Sequence, residues 1–471
     1  MKILNRAVRV LIYILPAVLF FSYYPVIALG SSETMNFELS LPILWLVVFD
    51  GCFAVWIIMK KRFGEVLRNV RRGGLWLVFP VFVTLTTVWS ENVVRGVMTC
   101  GILWLLVFAI YGIFKMKEDL YDERVFYYVF LKMFFASSLV ICGWCVAQCV
   151  MDTLGVPRDY TLMCRGCVTQ MFGFPHPNGF AIEPQFMGNL LLAPAIVAVW
   201  LIITGKHNSK NSERKSLLLC FFVIAATLFL TFSRGAIYAF VVGMMFMSGF
   251  LLMQEKGKIV KRLGVVWGMT ILSFLFALNL QGILAQVGPT NDTYGTGVAK
   301  VLNHLSLGII DVRSDEDEVV ENPVENFEEG NVTDAVFDGY VEESTGIRME
   351  LTKNAIAVWT QDARTVLFGV GIGGAGQAMY DMGLTGSPKE IIQNEYASLL
   401  AETGLVGVIC FVWLVVMMIR EFMKSQMSGM LFSLLVVYAV SLLFFSGLAN
   451  ALQIYLMPAV LYIVLRKKLV S

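Results

Sequence analysis

Arg234 follows Leu228-Phe229-Leu230-Thr231-Phe232-Ser233 and precedes Gly235-Ala236, so a guanidinium stands where one apolar run ends and the next begins. An arginine placed in hydrocarbon costs roughly 2.5–3.5 kcal/mol on insertion scales. It is either a side chain that snorkels to the interface or half of an anion site shared with the N-terminus of the following helix. A second group of chemistry-bearing residues lies in Phe172-Gly173-Phe174-Pro175-His176-Pro177-Asn178-Gly179-Phe180-Ala181-Ile182-Glu183-Pro184. Its prolines and glycines exclude a continuous helix, and it delivers His176, Asn178 and Glu183 to the start of the next apolar run. Glu395 and Glu402 are seven residues apart, which places them two turns along one helix face. Between these groups, Ile347, Leu351, Ala355, Val358 and Trp359 fall on one side at helical spacing. That pattern predicts an amphipathic helix over 346–360 lying on a membrane surface, with Arg348 and Lys353 flanking its apolar face.

The elements that must hold these groups are apolar helices. Of 471 residues 57% are hydrophobic and the mean hydropathy is +0.71, which excludes an ordinary soluble domain. Runs long enough for a hydrocarbon core of about 30 Å recur near 8–29, 40–59, 74–90, 94–114, 125–150, 184–204, 216–232, 236–254, 263–280, 403–419, 428–446 and 452–465. In lipid only closed backbone hydrogen bonding survives, so the expected fold class is an all-α polytopic membrane protein with about twelve transmembrane helices. The organisation reads as helices 1–9 with short exterior loops over 1–279, a large loop over 280–402, and helices 10–12 over 403–471.

Charge orients this frame. Segments 1–9, 60–72, 115–124, 205–215, 255–262, 420–424 and 466–468 hold 25 of the 36 Lys and Arg residues, all on one side of a twelve-span chain. The positive-inside rule makes that side the cytoplasm, with both termini inside and the 280–402 loop extracytoplasmic. A net charge of +1 carries no sign of nucleic acid. The N-terminal run reads as an uncleaved first span rather than a signal peptide.

Other features read as structural. Arg95, after the exterior turn at 84–92, reads as a snorkelling side chain. Residues 311–343 carry thirteen Asp or Glu against Arg313 alone, a solvated acidic excursion. The glycosylation sequons at Asn291 and Asn331 carry little weight. Cys164 and Cys167 are placed to form a disulfide if the exterior is oxidising. Gly371-Ile372-Gly373-Gly374-Ala375-Gly376 matches a dinucleotide pattern, but it lies in the exterior loop without repeated strand–helix units, so these glycines read as close-packing or turn positions. Gly404 and Gly407 mark close packing where the last exterior helix enters the membrane.

Taken together, Thr87-Val88-Trp89-Ser90, Phe174–Gly179 with Glu183, Ser233-Arg234-Gly235, Arg348, Trp359, Leu367–Gly371, Asn394-Glu395 and Glu402–Gly407 resemble the O-antigen ligase and polysaccharide polymerase superfamily. The resemblance covers most of the chain. It implies a C-type membrane glycosyltransferase that moves a glycan from an undecaprenyl pyrophosphate carrier to an acceptor hydroxyl, on the outer face of the bacterial inner or plasma membrane. Neither nucleotide sugar, metal nor any other cofactor is implied. The expected partners are the lipid-linked donor, the glycan acceptor, the bilayer and other polysaccharide-export proteins.

On this reading Arg234, Arg348 and Arg165 stabilise the pyrophosphate leaving group. Glu395, Glu183 and His176 are unranked candidate bases, and Asn178, Asn394 and Trp359 are candidate acceptor or glycan contacts. Ligases of this kind carry a histidine just before the Asn of the re-entry helix, where this chain has Gln393, which cannot take a proton at neutral pH. That departure favours a polymerase of repeat units for a capsule, O-antigen or exopolysaccharide. A ligase that passes finished glycan to lipid A core, another lipid or a protein is the alternative. A flippase for the same lipid-linked unit is the alternative of another class, and a six-plus-six internal repeat would distinguish it.

Deletion of residues 314–342 is expected to leave polymer formation intact. Loss of polymer at unchanged membrane protein level, read on a polysaccharide gel, would show that the acidic run is more than a spacer.

Overall fold

A computed structural model describes residues 2–31, 36–120, 123–169, 173–205, 211–255, 259–288, 292–306, 340–425, 427–445 and 452–465. The acidic excursion up to 339 and both sequon asparagines lie outside the described residues. The chain divides into two compact units, one of residues 1–134 and 348–471 and the other of residues 135–347.

The first unit begins with α1 (Lys2–Phe20), a hairpin of β1 (Val26–Ser31) and β2 (Asn36–Ser40), and α2 (Leu41–Met59). There follow α3 (Phe63–Arg72), α4 (Val78–Thr86), α5 (Val93–Leu120) and α6 (Glu123–Thr153), whose C-terminal part belongs to the second unit. The second unit continues with α7 (Pro184–Thr204), α8 (Asn211–Leu230), α9 (Arg234–Glu255), α10 (Val260–Val287) and α11 (Tyr294–Ser306). Helix α12 (Tyr340–Trp359) leads back to the first unit, which is completed by α13 (Ala363–Phe368), α14 (Ala375–Asp381), α15 (Glu395–Met423), α16 (Ser428–Ser441) and α17 (Leu452–Leu465).

A helix lies at each of the twelve expected spans. Among the described residues eight helices are long and apolar enough to cross a membrane: α1, α2, α5, α6, α7, α9, α10 and α15. The apolar helices α4, α16 and α17 are shorter, and α8 carries Glu213, Arg214 and Lys215 in its first turns.

Three boundaries differ from the sequence expectation. The first helix stops at Phe20 instead of running to residue 29, and Val26–Ser31 pairs antiparallel with Asn36–Ser40. Pro25 offers no amide hydrogen to a helix, and the β-branched Val26-Ile27 pair suits a strand. Helix α10 extends to Val287 and α15 begins at Glu395, so both flanking helices reach into the segment expected as loop.

Helix α12 also differs. On its expected apolar face Leu351, Ala355 and Val358 are buried, the last two in a core with Val370, Ala378, Met379, Ile392 and Ala401, while Ile347 is 50% exposed. Periodicity says that a face is apolar but not what covers it.

In the second unit, α7 is almost wholly enclosed and packs against α8, α9 and α10. Its sequence has no polar face, and a helix apolar all round belongs inside. Pro184 opens its first turn and Gly205, at φ 67°, closes it, with the Gly205 amide on the Leu201 carbonyl at 3.0 Å. The Arg262 guanidinium adds a hydrogen bond to the Ile203 carbonyl at 2.7 Å, a cation at a helix C-terminus.

In the first unit, α15 is kinked at Gly404 (φ 61°, ψ −169°). The carbonyls of Ala401 and Glu402, one turn before the kink, accept from the Val370 and Gly371 amides, both at 2.9 Å. A Cβ on Gly404 would fall on the Leu367 carbonyl, and one on Gly369 would fall on that of Glu402. The two chains touch backbone to backbone.

Gly404→Ala is therefore expected to destabilise the protein by about 3 kcal/mol or more, since backbone cannot move aside like a flexible side chain. Gly346→Ala, with open space around its Cβ position in a helix, is expected to gain about 1 kcal/mol. Thermal unfolding in detergent checks both. Equal melting temperatures for wild type and Gly404→Ala would remove the packing argument.

Candidate functional site

The second unit holds its polar loop by internal hydrogen bonds from two membrane helices. Gln148 of α6 donates to the Thr161 and Gly179 carbonyls at 2.8 and 3.0 Å and accepts from the Gly179 amide at 2.8 Å. Asp152, one turn on, accepts from the Thr169 amide and hydroxyl at 2.8 and 2.6 Å. From α10, Gln281 donates to the Pro175 carbonyl at 3.1 Å. Asn178 is fully buried, and its amide nitrogen donates to the Ala181 and Leu162 carbonyls at 2.6 and 3.3 Å, so it acts as scaffold for the turn. Cys164 and Cys167 form a disulfide, and the Cys167 carbonyl accepts from the His176 amide at 2.9 Å.

What this scaffold positions is a cluster of four rings. His176 stacks on Phe174 with centroids 4.5 Å apart and meets Phe232 and His304 edge-on at 5.8 and 5.3 Å. The two imidazoles are 5% and 6% exposed, dry enough for charge on either to be costly. Burial first, then His304 and the Arg234 guanidinium, hold the His176 pKa well below the ordinary 6.5, while a hydrogen bond to the Thr231 backbone opposes them. His176 is therefore neutral at pH 7.

Arg234 is the first residue of α9, partly buried, directly after a tight turn in which Phe232 takes a left-handed φ of 45°. The structure thus brings His176 and Arg234 into one cluster. Arg165 and Glu183 are exposed, the first in a short turn at 165–167 and the second at the N-cap of α7.

In the first unit, Asn394 caps α15 by accepting from the Tyr396 and Ala397 amides, both at 3.1 Å. Glu395 accepts from the Tyr455 hydroxyl at 2.7 Å. Trp359 donates its indole hydrogen to the Val366 carbonyl at 3.0 Å, and Arg348 is partly buried on α12.

The Gly371–Gly376 loop turns its amides on a side chain of the same protein. The Glu402 carboxylate accepts from the backbone of Gly373 and Ala375, with Arg95 in electrostatic reach. Ser90 donates to the Ile372 carbonyl at 2.9 Å, and the Ile372 amide donates to the Thr86 hydroxyl at 3.1 Å. A Cβ on Gly373 would meet the Gly96 amide nitrogen at 2.8 Å. Close approach accounts for these glycines, as expected from their position. Arg95 does not simply snorkel: its guanidinium lies against Gly376, within this knot.

Residues 219–412 match the family model described as O-antigen ligase. Over these residues the chain is similar to the O-antigen ligase family. Its function accordingly falls in the ligase and polymerase class of glycan assembly, in a multi-pass membrane protein. No curated protein matches the chain, and no solved structure does. The O-antigen ligase segment contains Arg234, His304, Arg348, Glu395 and Glu402, whereas Arg165, His176, Asn178 and Glu183 lie before it.

Sequence reasoning missed His304, Gln148, Gln281 and the role of Arg95. One signal was available for the first: the chain has three histidines, and two of them meet here.

For His176, the unfolded chain takes up a proton as pH falls through 6.5 while the folded one resists it. Stability is therefore full above 6.5 and falls below it, by about 1.4 kcal/mol per pH unit for one proton. The wild-type melting temperature is expected to drop more steeply between pH 6.5 and 5.5 than that of His176→Gln; coincident slopes would contradict a buried neutral imidazole.

Proposed function

We propose that the protein is a membrane glycosyltransferase that polymerises undecaprenyl-pyrophosphate-linked repeat units of a surface polysaccharide, on the outer face of the plasma membrane. The observation that carries this reading is Arg234 at the head of α9 in the same buried cluster as a neutral His176. A pyrophosphate already leaves readily, so catalysis needs a fixed positive charge where negative charge grows, in a site poor in water. Arg234 and the α9 amides meet that need.

In the reaction the acceptor hydroxyl oxygen bonds to the anomeric carbon of the donor and its proton passes to a base. The bond from that carbon to the pyrophosphate oxygen breaks, and undecaprenyl pyrophosphate departs. His176 is the candidate base that shares a cluster with Arg234; the burial that keeps it neutral also weakens it as a proton acceptor. Glu395, held by Tyr455, is the second candidate. Arg348 and Arg165 remain further candidates for the diphosphate.

Gln393 supports polymerase over ligase, because the position before Asn394 offers no base. A flippase built from two consecutive repeats is less well supported, since residues 135–347 are inserted in sequence between the two parts of the other unit rather than following it as a second half.

The test is a polymer ladder from cells lacking the gene, complemented with wild type, Arg234→Ala or Arg234→Lys at matched membrane levels. Wild type is expected to restore long chains, and Arg234→Ala to leave single repeat units, a loss of at least about a hundredfold in polymer. Long chains retained on the carrier but never attached would instead identify a ligase. Wild-type ladders from both variants would mean that Arg234 merely snorkels.

A further inference from the structure

The carbonyl of Phe232 is the polar atom of the strained turn before Arg234, and it is reached from 72 residues away. His304 of α11 places Nε2 3.2 Å from it. A carbonyl only accepts, so Nε2 carries the hydrogen and donates. The same helix makes a second tie one turn into α9, where the Tyr238 hydroxyl donates to the Leu305 carbonyl at 3.0 Å. Helix α11 therefore grips both the turn and the start of the helix that Arg234 opens.

The turn needs this grip. A left-handed φ on a bulky residue such as Phe232 costs of order 1–3 kcal/mol and persists only where its surroundings fix it. Local bonds supply part of the hold: the Phe232 amide donates to the Phe229 carbonyl at 3.0 Å, and Thr231 Oγ1 to the Leu228 carbonyl at 2.7 Å. The Phe232 ring is held by Phe174 at 5.4 Å and His176 at 5.8 Å, both edge-on. His304 fastens the carbonyl itself while its ring lies edge-on to His176 at 5.3 Å and to Phe174 at 6.0 Å. A lysine could donate as well, but only an imidazole both donates and packs as a ring against Phe174 and His176.

We infer that His304 is a positioning residue for Arg234: its hydrogen bond to the Phe232 carbonyl sets the turn that aims the guanidinium. The effect on glycan transfer rests on the proposal that Arg234 binds the donor pyrophosphate, whereas the effect on Arg234 itself does not. His304→Phe keeps a buried ring and removes the donor. His304→Gln keeps a donor near the Nε2 position and removes the ring.

The experiment is phenylglyoxal modification of the full-length protein in detergent, with labelling of Arg234 and Arg348 quantified by mass spectrometry, with and without inorganic pyrophosphate. Arg234 in His304→Phe is expected to react at a rate altered about fivefold or more, with Arg348 unchanged and His304→Gln close to wild type. In transfer assays with the lipid-linked repeat unit, His304→Phe should lower kcat about tenfold with KM less affected, and add nothing to Arg234→Ala in the double variant. Equal Arg234 labelling in wild type and His304→Phe overturns the inference, as does a fully additive double variant. If His304→Phe alters Arg234 labelling but pyrophosphate protects Arg234 in no form and Arg234→Ala transfers normally, the positioning stands and the pyrophosphate reading fails. A general loss of folding would shift Arg348 labelling as well, and His304→Gln would then decide: wild-type labelling of Arg234 supports the donor role, and altered labelling overturns it.

Discussion

Wherever a membrane helix ends or breaks, the backbone groups it frees must find partners within the protein, because hydrocarbon supplies none. That constraint organises both units of this chain. In the first, the Ala401 and Glu402 carbonyls before the Gly404 kink take the Val370 and Gly371 amides. Elsewhere in that unit Lys117 donates to the Ile463 carbonyl in the last turn of α17 at 2.6 Å. In the second, Arg262, Gln148, Gln281 and His304 serve the carbonyls of Ile203, Gly179, Pro175 and Phe232. Most of these partners are far apart in sequence, so each also fixes a piece of tertiary structure.

The same demand sorts the polar residues into scaffold and chemistry. Asn178, Asn394 and Trp359 are conspicuous in sequence as amide and indole donors, yet each makes hydrogen bonds to nearby backbone. Glu402 lies among the amides of Gly373 and Ala375, the kind of cradle that elsewhere receives phosphate. A carboxyl group from the same chain takes those donors, which accounts for a dinucleotide-like glycine pattern without a nucleotide. Arg234 is the residue assigned to the proposed chemistry. It opens a membrane helix beside a neutral histidine, where a positive charge is expensive and an arriving anion would lower that cost.

Hydropathy made the helices legible, because each apolar run has to satisfy its own backbone and a helix does so locally. It did not make legible what covers a face. The apolar side of α12 reads equally as a membrane-surface face or a protein core, and only the partners Val370, Met379 and Ala401 decide between them. The strand at Val26–Ser31 was hidden for a related reason: its residues extend an apolar run, and Pro25 was the one local sign of a break. Arg234 and His176 could be picked out by residue type and placement. His304 and Arg95 could not, since their roles depend on pairings across many residues: 72 between His304 and Phe232, and about three hundred between Arg95 and Glu402.

The strain at Phe232 fits the chemistry better than it fits stability. A turn between two apolar helices could have used glycine, which takes a positive φ without steric cost. Phenylalanine there brings a ring that packs against Phe174 and His176, and a carbonyl oriented toward His304. Replacing it with glycine would relieve the backbone but remove the ring contacts that define the turn. The energy stored in the left-handed residue, of order 1–3 kcal/mol, is offset by those contacts and by one hydrogen bond worth roughly 1 kcal/mol. For the proposed reaction, whose leaving group is already good, a fixed guanidinium direction would matter more than extra binding strength, because only a charge in place before the bond breaks avoids reorganisation as the bond breaks.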